Sequence, residues 1–239
     1  MSVIDPTAGL TREEKRELLR QALLEQMARP RTAPASLAQE GLWFLDRMEG
    51  AGAAYNFPVA LRLRGALDVA ALERALGEIV RRHEALRTTL AEQDGAPVQV
   101  IAPVQGFALA VDDVTGAEAM RRVEEDARAP FELSAGPLFR ARLLRIAADD
   151  HVLLACMHHV VTDGWSLGVF FGELSALYAA FREGRESPLG ELPVQYADHA
   201  TQQRAAQGGE AMARQLAWWR ERLTGAPALL ELPTDHPRP

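Results

Sequence analysis

His151-Val-Leu-Leu-Ala-Cys-Met-His-His-Val-Val161, continuing into Thr162-Asp-Gly-Trp-Ser166, is the stretch whose reading decides the fold. The first eleven residues are almost wholly apolar and show no alternation, which predicts a central strand covered on both faces. Neighbouring strand residues point to opposite faces. Val152, Leu154, Cys156, His158 and Val160 therefore share one face, and Leu153, Ala155, Met157, His159 and Val161 the other. The two histidines cannot both face one cleft: one should be buried and hydrogen-bonded, the other available. Asp163-Gly164 reads as a turn, with a helix starting near Ser166. Spacing alone leaves two readings of the pair open, core packing or a proton-transfer site at a strand end with a carboxylate close by. A metal site is disfavoured, because alternation splits the ligands and no third ligand is near in sequence. Cys156 reads as an inert buried thiol.

Downstream, Leu167, Phe170, Phe171, Leu174, Leu177, Tyr178 and Phe181 recur at helical spacing up to Gly184, a C-cap residue. A polar stretch with Pro188 and Pro193 follows, then a last helix over 215–223 in which Trp218 and Trp219 should pack. Upstream, residues 139–146 and 107–111 read as strands, with a polar helix over 117–127 between them. Residues 86–90 and 98–101 read as strands joined through Asp94-Gly95, a hairpin signal. Asp68 caps a helix striped with Leu72, Leu76, Ile79, Val80 and His83, and residues 57–64 alternate as a half-buried strand. Two capping boxes, Ser36-Leu-Ala-Gln39 and Thr11-Arg-Glu-Glu14, open further helices. Arg29 to Ala35 reads as a linker, and residues 1–10 carry no periodic signal. The mixture predicts an α/β chain (an α+β two-layer sandwich) with one mixed β-sheet and helices packed on it.

Composition narrows the function classes. The 239 residues carry a net charge of −7, against the basic surface that nucleic acid requires. Lys15 is the only lysine, which leaves almost no room for lysine nucleophiles or Schiff bases. Cys156 is the only cysteine, which rules out an intrachain disulfide and thiolate zinc sites. No signal peptide is seen, and no apolar run approaches the roughly 18 residues of a membrane span, so the expectation is a soluble cytoplasmic protein with no membrane partner.

Met157-His-His-Val-Val-Thr-Asp-Gly-Trp-Ser166 resembles the core His-His-x-x-x-Asp-Gly motif of condensation domains from nonribosomal peptide synthetases. Three other stretches resemble that family's motifs in the expected order: 36–45 (Ser-Leu-Ala-Gln-Glu-Gly-Leu-Trp-Phe-Leu), 82–88 (Arg-His-Glu-Ala-Leu-Arg-Thr) and 196–200 (Tyr-Ala-Asp-His-Ala). Residues 61–68 and the tail 232–239 (Leu-Pro-Thr-Asp-His-Pro-Arg-Pro) also look typical of it. The core motif alone is shared with chloramphenicol acetyltransferase and carrier-dependent acyltransferases; the ordered set is more specific.

The resemblance implies a chloramphenicol acetyltransferase-like lobe. Residues 34–200 would be the N-terminal lobe of a two-lobed domain with its site in a tunnel between the lobes. Residues 201–239 would be a crossover helix and the start of a C-terminal lobe, and 1–33 a helix and linker serving either docking or edge packing. The chain would then be about half of a condensation domain, inactive by itself. The implied reaction joins a donor acyl or peptidyl thioester to the α-amine of an acceptor aminoacyl thioester. Both would be carried on phosphopantetheine arms of peptidyl carrier proteins, with an adenylation domain adjacent. No cofactor or metal would be bound by this chain. By resemblance His159 faces the tunnel and is catalytic, as a proton acceptor or as a stabiliser of the tetrahedral intermediate, and His158 is structural. Asp163 is ion-paired, with Arg87 as its partner. Gly164 allows close backbone approach, and Trp165 and Ser166 line the tunnel or cap the helix. Gly41 departs from the family's usual arginine, which puts nearby substrate or carrier contacts in doubt. The Thr-Asp-Gly-Trp-Ser form resembles domains that take an L-configured donor. The alternatives are a coenzyme A-dependent O- or N-acyltransferase of the same superfamily and a non-catalytic docking module.

Overall fold

The computed structural model describes residues 11–27, 29–49, 52–207, 209–229, 233 and 235–236. The side chains at 19, 22–27 and 49 lie outside the described residues, as do residues 1–10 and most of the 232–239 tail. The apolar stretch forms β7 (Asp150–His158), flanked by antiparallel β2 (Asn56–Arg64) and β6 (Phe139–Ala147). β5 (Ala110–Asp113) pairs parallel with β6, so the sheet is mixed, in the order β2-β7-β6-β5.

Both faces of β7 are covered. On one, Leu153, Ala155 and Met157 pack against Leu76 and Ile79 of α3 (Val69–Arg82) and Phe170 and Leu177 of α5 (Gly164–Arg182). On the other, Leu154 meets Ala119 of α4 (Gly116–Arg128), while Cys156 packs with Phe131, Leu138 and Val160. Each buried leucine contributes about 1.5–3 kcal/mol, and β7 supplies two of them. Apolar residues on both faces of the strand are thus explained by one core cluster on the first face and two on the second.

The remaining strands depart from the sequence expectation of one sheet. β3 (Thr88–Gln93) and β4 (Ala96–Ile101) form the hairpin foreseen at Asp94-Gly95, where φ is 53° and 80°, the left-handed pair that a two-residue turn needs. Arg31–Pro34, expected as linker, is strand β1. It pairs antiparallel with β4, and Gln99 Nε2 donates to the Pro34 carbonyl at 2.8 Å. These three strands make a second sheet, β1-β4-β3. Pro34 is tolerated because β1 is an edge strand. Alternation reveals a strand but not which neighbour it takes.

Other shifts have local causes. Glu84–Arg87 is a 3-10 turn, so β3 begins only at Thr88. Leu109 is buried and Phe107 stacks on Phe139, which leaves only Ala110–Asp113 to pair. The polar stretch before the last helix contains an unforeseen helix, α6 (Tyr196–Ala206), which buries only Ala197 and Ala200.

The helix ends obey their signals. Thr11 and Glu14 form a capping box ahead of α1 (Arg12–Met27). Ser36 and Gln39 do the same for α2 (Leu37–Glu49). Past α5, Gly184 at φ 70° donates to Phe181 O and Arg185 N to Ala180 O, a Schellman stop. In α2 a Cβ on Gly41 would meet nothing within 4 Å, so packing does not demand glycine there. The last helix, α7 (Glu210–Arg222), starts earlier than its periodicity suggests and has no buried residue. Trp218 and Trp219, expected to pack, are instead 51% and 54% exposed and rest edge-to-face on each other at 4.8 Å.

Candidate functional site

Where β7 ends, the two histidines separate. His158, the last strand residue, is 2% exposed. Its ring sits edge-on to Tyr55 and Phe131, and its Nδ1 accepts the Val160 amide hydrogen at 3.1 Å. Burial, helped by the neighbouring His159 ring, pushes its pKa down to about 4. His158 is thus a neutral acceptor inside the core.

His159 is exposed and turns to the other side. Its amide still donates to Tyr55 O at 2.8 Å, and its ring stands edge-on to Phe57. Nδ1 lies 2.7 Å from the Thr162 carbonyl oxygen. A carbonyl can only accept, so Nδ1 carries the hydrogen and the lone pair of the neutral ring is on Nε2. The Thr162 carbonyl therefore fixes the tautomer and aims the ring.

His159 lines a cleft of about 570 Å³ floored by Met157 and walled by Leu42, Leu86, Phe170 and Tyr196. The start of α5 forms its lip. Asp163 is the N-cap of this helix: its Oδ1 accepts from Ser166 N at 2.8 Å and from Ser166 Oγ at 2.6 Å. These two bonds hold the Asp163 carboxyl below its ordinary pKa. Trp165, 86% exposed, and Ser166 both line the cleft.

Two expectations fail here. Asp163 does not pair with Arg87. Arg87 is turned away, donating to the Ala102 carbonyl and, at 3.4 Å, to Glu84. The 3-10 turn puts Arg87 over β4, and Asp163 has already committed an oxygen to its own helix. Gly164 is not a point of close approach either, since a Cβ there would meet nothing within 4 Å. A cap loss sets the size of one prediction: Asp163→Ala should lower unfolding stability by about 1 kcal/mol, and Asp163→Asn by much less, since asparagine caps equally well. Urea unfolding of both variants checks this, and equal losses would count against a capping role.

The sequence motifs other than the core one work as braces. Tyr196 of α6 hydrogen-bonds Ser36 at 2.8 Å, and Gln203 Oε1 accepts from Leu37 N at 2.8 Å, which ties α6 to the start of α2. In the 82–88 motif, Gln195 Nε2 donates to Arg82 O, Leu86 fills the core, and Thr88 Oγ1 donates to Glu84 O. His83, marked in the sequence as part of a helix stripe and of the 82–88 motif but not as a site residue, also lines the cleft. On the opposite side of the sheet, burial pushes the Cys156 thiol up and out of reactive range. Among the described residues no group of three His, Cys, Asp or Glu side chains is placed to hold a metal ion, and no helix is long and apolar enough to cross a membrane.

The profile of the family described as "Condensation domain" matches residues 30–239. One of the linear gramicidin synthase proteins of Brevibacillus parabrevis is 44% identical over 237 residues, which is 96% of this chain and 5% of that protein. The X-domain from teicoplanin biosynthesis superposes with a TM-score of 0.77 at 35% identity, covering 88% of this chain and 47% of that one. The first condensation domain of the CDA synthetase gives 0.71 at 25%, covering 85% and 53%. The chain thus spans about half the length of these solved domains and a small part of the curated synthetase.

Proposed function

The chain belongs to the condensation-domain family of nonribosomal peptide synthetases, and on that footing we propose that it supplies the histidine-bearing wall of a cleft where an amine attacks an acyl thioester. The observation that carries this reading is His159: exposed in the cleft, with Nδ1 tied to the Thr162 carbonyl and Nε2 left free to accept. In the proposed step the α-amine of an acceptor aminoacyl thioester attacks the donor carbonyl carbon and the C–S bond breaks. The amine proton passes to Nε2 and on to the departing thiolate. A neutral amine is already a nucleophile, so the ring serves equally by stabilising the tetrahedral intermediate through hydrogen bonding.

Both thioesters would ride on phosphopantetheine arms of carrier proteins, and this chain's residues contribute walls, orientation and the proton-handling ring. Trp165 and Ser166 shape the entrance, and Asp163 secures the helix that carries them. The test uses a polypeptide in which this chain runs on to the full length of the solved condensation domains. Offered two loaded carrier proteins, it should form the amide and release one free carrier thiol. Acylation from a coenzyme A thioester, with no carrier present, would overturn this reading in favour of a free-standing acyltransferase.

A further inference from the structure

The same cleft holds a second histidine that the proposed reaction has not used. Glu173 of α5 binds two groups from the end of α3: its Oε1 accepts from Arg82 Nε at 3.1 Å, and its Oε2 lies 2.7 Å from His83 Nε2. The side chains of Arg82, Glu173 and His83 are 9%, 12% and 24% exposed. A carboxylate only accepts, so Nε2 of His83 carries the hydrogen and the neutral ring has its lone pair on Nδ1. Nδ1 has no hydrogen-bond partner among the described residues, and His83 is one of the residues lining the cleft. The other polar side chains there are mostly committed, Asp163 to Ser166 and the Trp165 amide, and Tyr196 to Ser36. Besides the Asp163 carboxylate and the hydroxyls of Thr162, Ser166 and Tyr196, the acceptors among the described side chains of the cleft are two imidazole nitrogens, Nε2 of His159 and Nδ1 of His83.

We propose that His83 is a second substrate-contacting residue, whose Nδ1 accepts a hydrogen bond from the α-nitrogen of the aminoacyl thioester. The proposal rests on the condensation reading and deepens it. Glu173 acts through His83 as a positioning residue, fixing its tautomer. Arg82 offsets the carboxylate charge, so the contact is a directed hydrogen bond rather than a bare anion attracting a cation. An apolar cleft with one acceptor at each of two rings can hold an amine in a defined orientation, where one ring alone would leave it free to rotate.

The experiment uses the whole chain with ¹⁵N-labelled histidine and two non-cleavable probes, the glycyl amide and the acetyl amide of pantetheine amine. The glycyl probe should move the Nδ1 resonance of His83, and the acetyl probe, which lacks the amine, should leave it in place. His83→Ala should weaken the glycyl probe by about tenfold, the worth of one hydrogen bond to an ionisable partner, and leave the acetyl probe unchanged. Equal weakening of both probes would mean that His83 only supports the wall, which overturns the proposal. A fixed His83 resonance while that of His159 moves would overturn it too and leave the condensation reading standing. If neither ring responds to either probe, the His83 proposal falls, while amide formation by the full-length polypeptide still decides the condensation reading.

Discussion

His159→Ala, in the polypeptide continued to full domain length, should slow peptide formation by ~10²–10⁴-fold, the usual worth of one positioned proton-transfer group. That range corresponds to about 3–5 kcal/mol of barrier. The effect should fall on the chemical step, because the ring contributes one edge to a cleft whose walls come from other residues. Stability should scarcely change: the side chain is exposed, and such substitutions usually stay within about 0.5 kcal/mol. The variant therefore separates chemistry from folding. Single-turnover amide formation with pre-loaded carriers measures it, and a loss below tenfold would remove His159 from the mechanism.

The neighbouring histidine should do the reverse, governing stability and not chemistry. The folded-state pKa of His158, about 4, lies below the ordinary 6.5. The folded protein resists protonation there while the unfolded chain accepts it. The stability that depends on a neutral ring is complete above pH 6.5 and is lost as pH falls toward 4. The full difference is about 3 kcal/mol, of which about 2 kcal/mol is gone by pH 5. The Val160 amide, pointing its hydrogen at Nδ1, opposes the added proton in the same direction. Between pH 6.5 and 5 the carboxylates whose pKa values are lowered, Asp150 and Asp163 among them, stay charged. Groups such as Asp46 and the His83–Glu173 contact are shared with a His158 variant, so the comparison with that variant isolates this ring. Urea midpoints across that window should drop more steeply for the native chain than for His158→Phe. A native profile as flat as the variant's would contradict a ring kept neutral by burial.

How much of this was legible in the sequence depends on the kind of information each residue carries. The opposed fates of His158 and His159 follow from strand alternation, and the capping boxes at Thr11 and Ser36 follow from spacing, so both could be read directly. The helix at Tyr196–Ala206 could not, because it buries two alanines and leaves no apolar stripe. β1 was hidden by Pro34, a breaker that an edge strand absorbs. Trp218 and Trp219 misled in the other direction, since bulk and hydrophobicity forecast burial only where something lies against the helix. In the cleft, the partners of Arg87 and Asp163 depend on where a 3-10 turn directs one side chain and whether a cap has already taken the other. The His83–Glu173 contact spans 90 residues, and nothing local announces it.

The seat of β7 has a further meaning. Its pairing aligns His158 with Asn56 and Met157 with Phe139, and side chains swap faces with every residue. Which histidine reaches the cleft is thus a matter of parity. A single inserted or deleted residue between Asp150 and His158 would hand the cleft to the other member of the pair while leaving the motif's letters intact. Segment exchange between synthetases should therefore count residues along this strand, because junctions that preserve composition but shift the count by one would exchange the cleft histidine for the buried one.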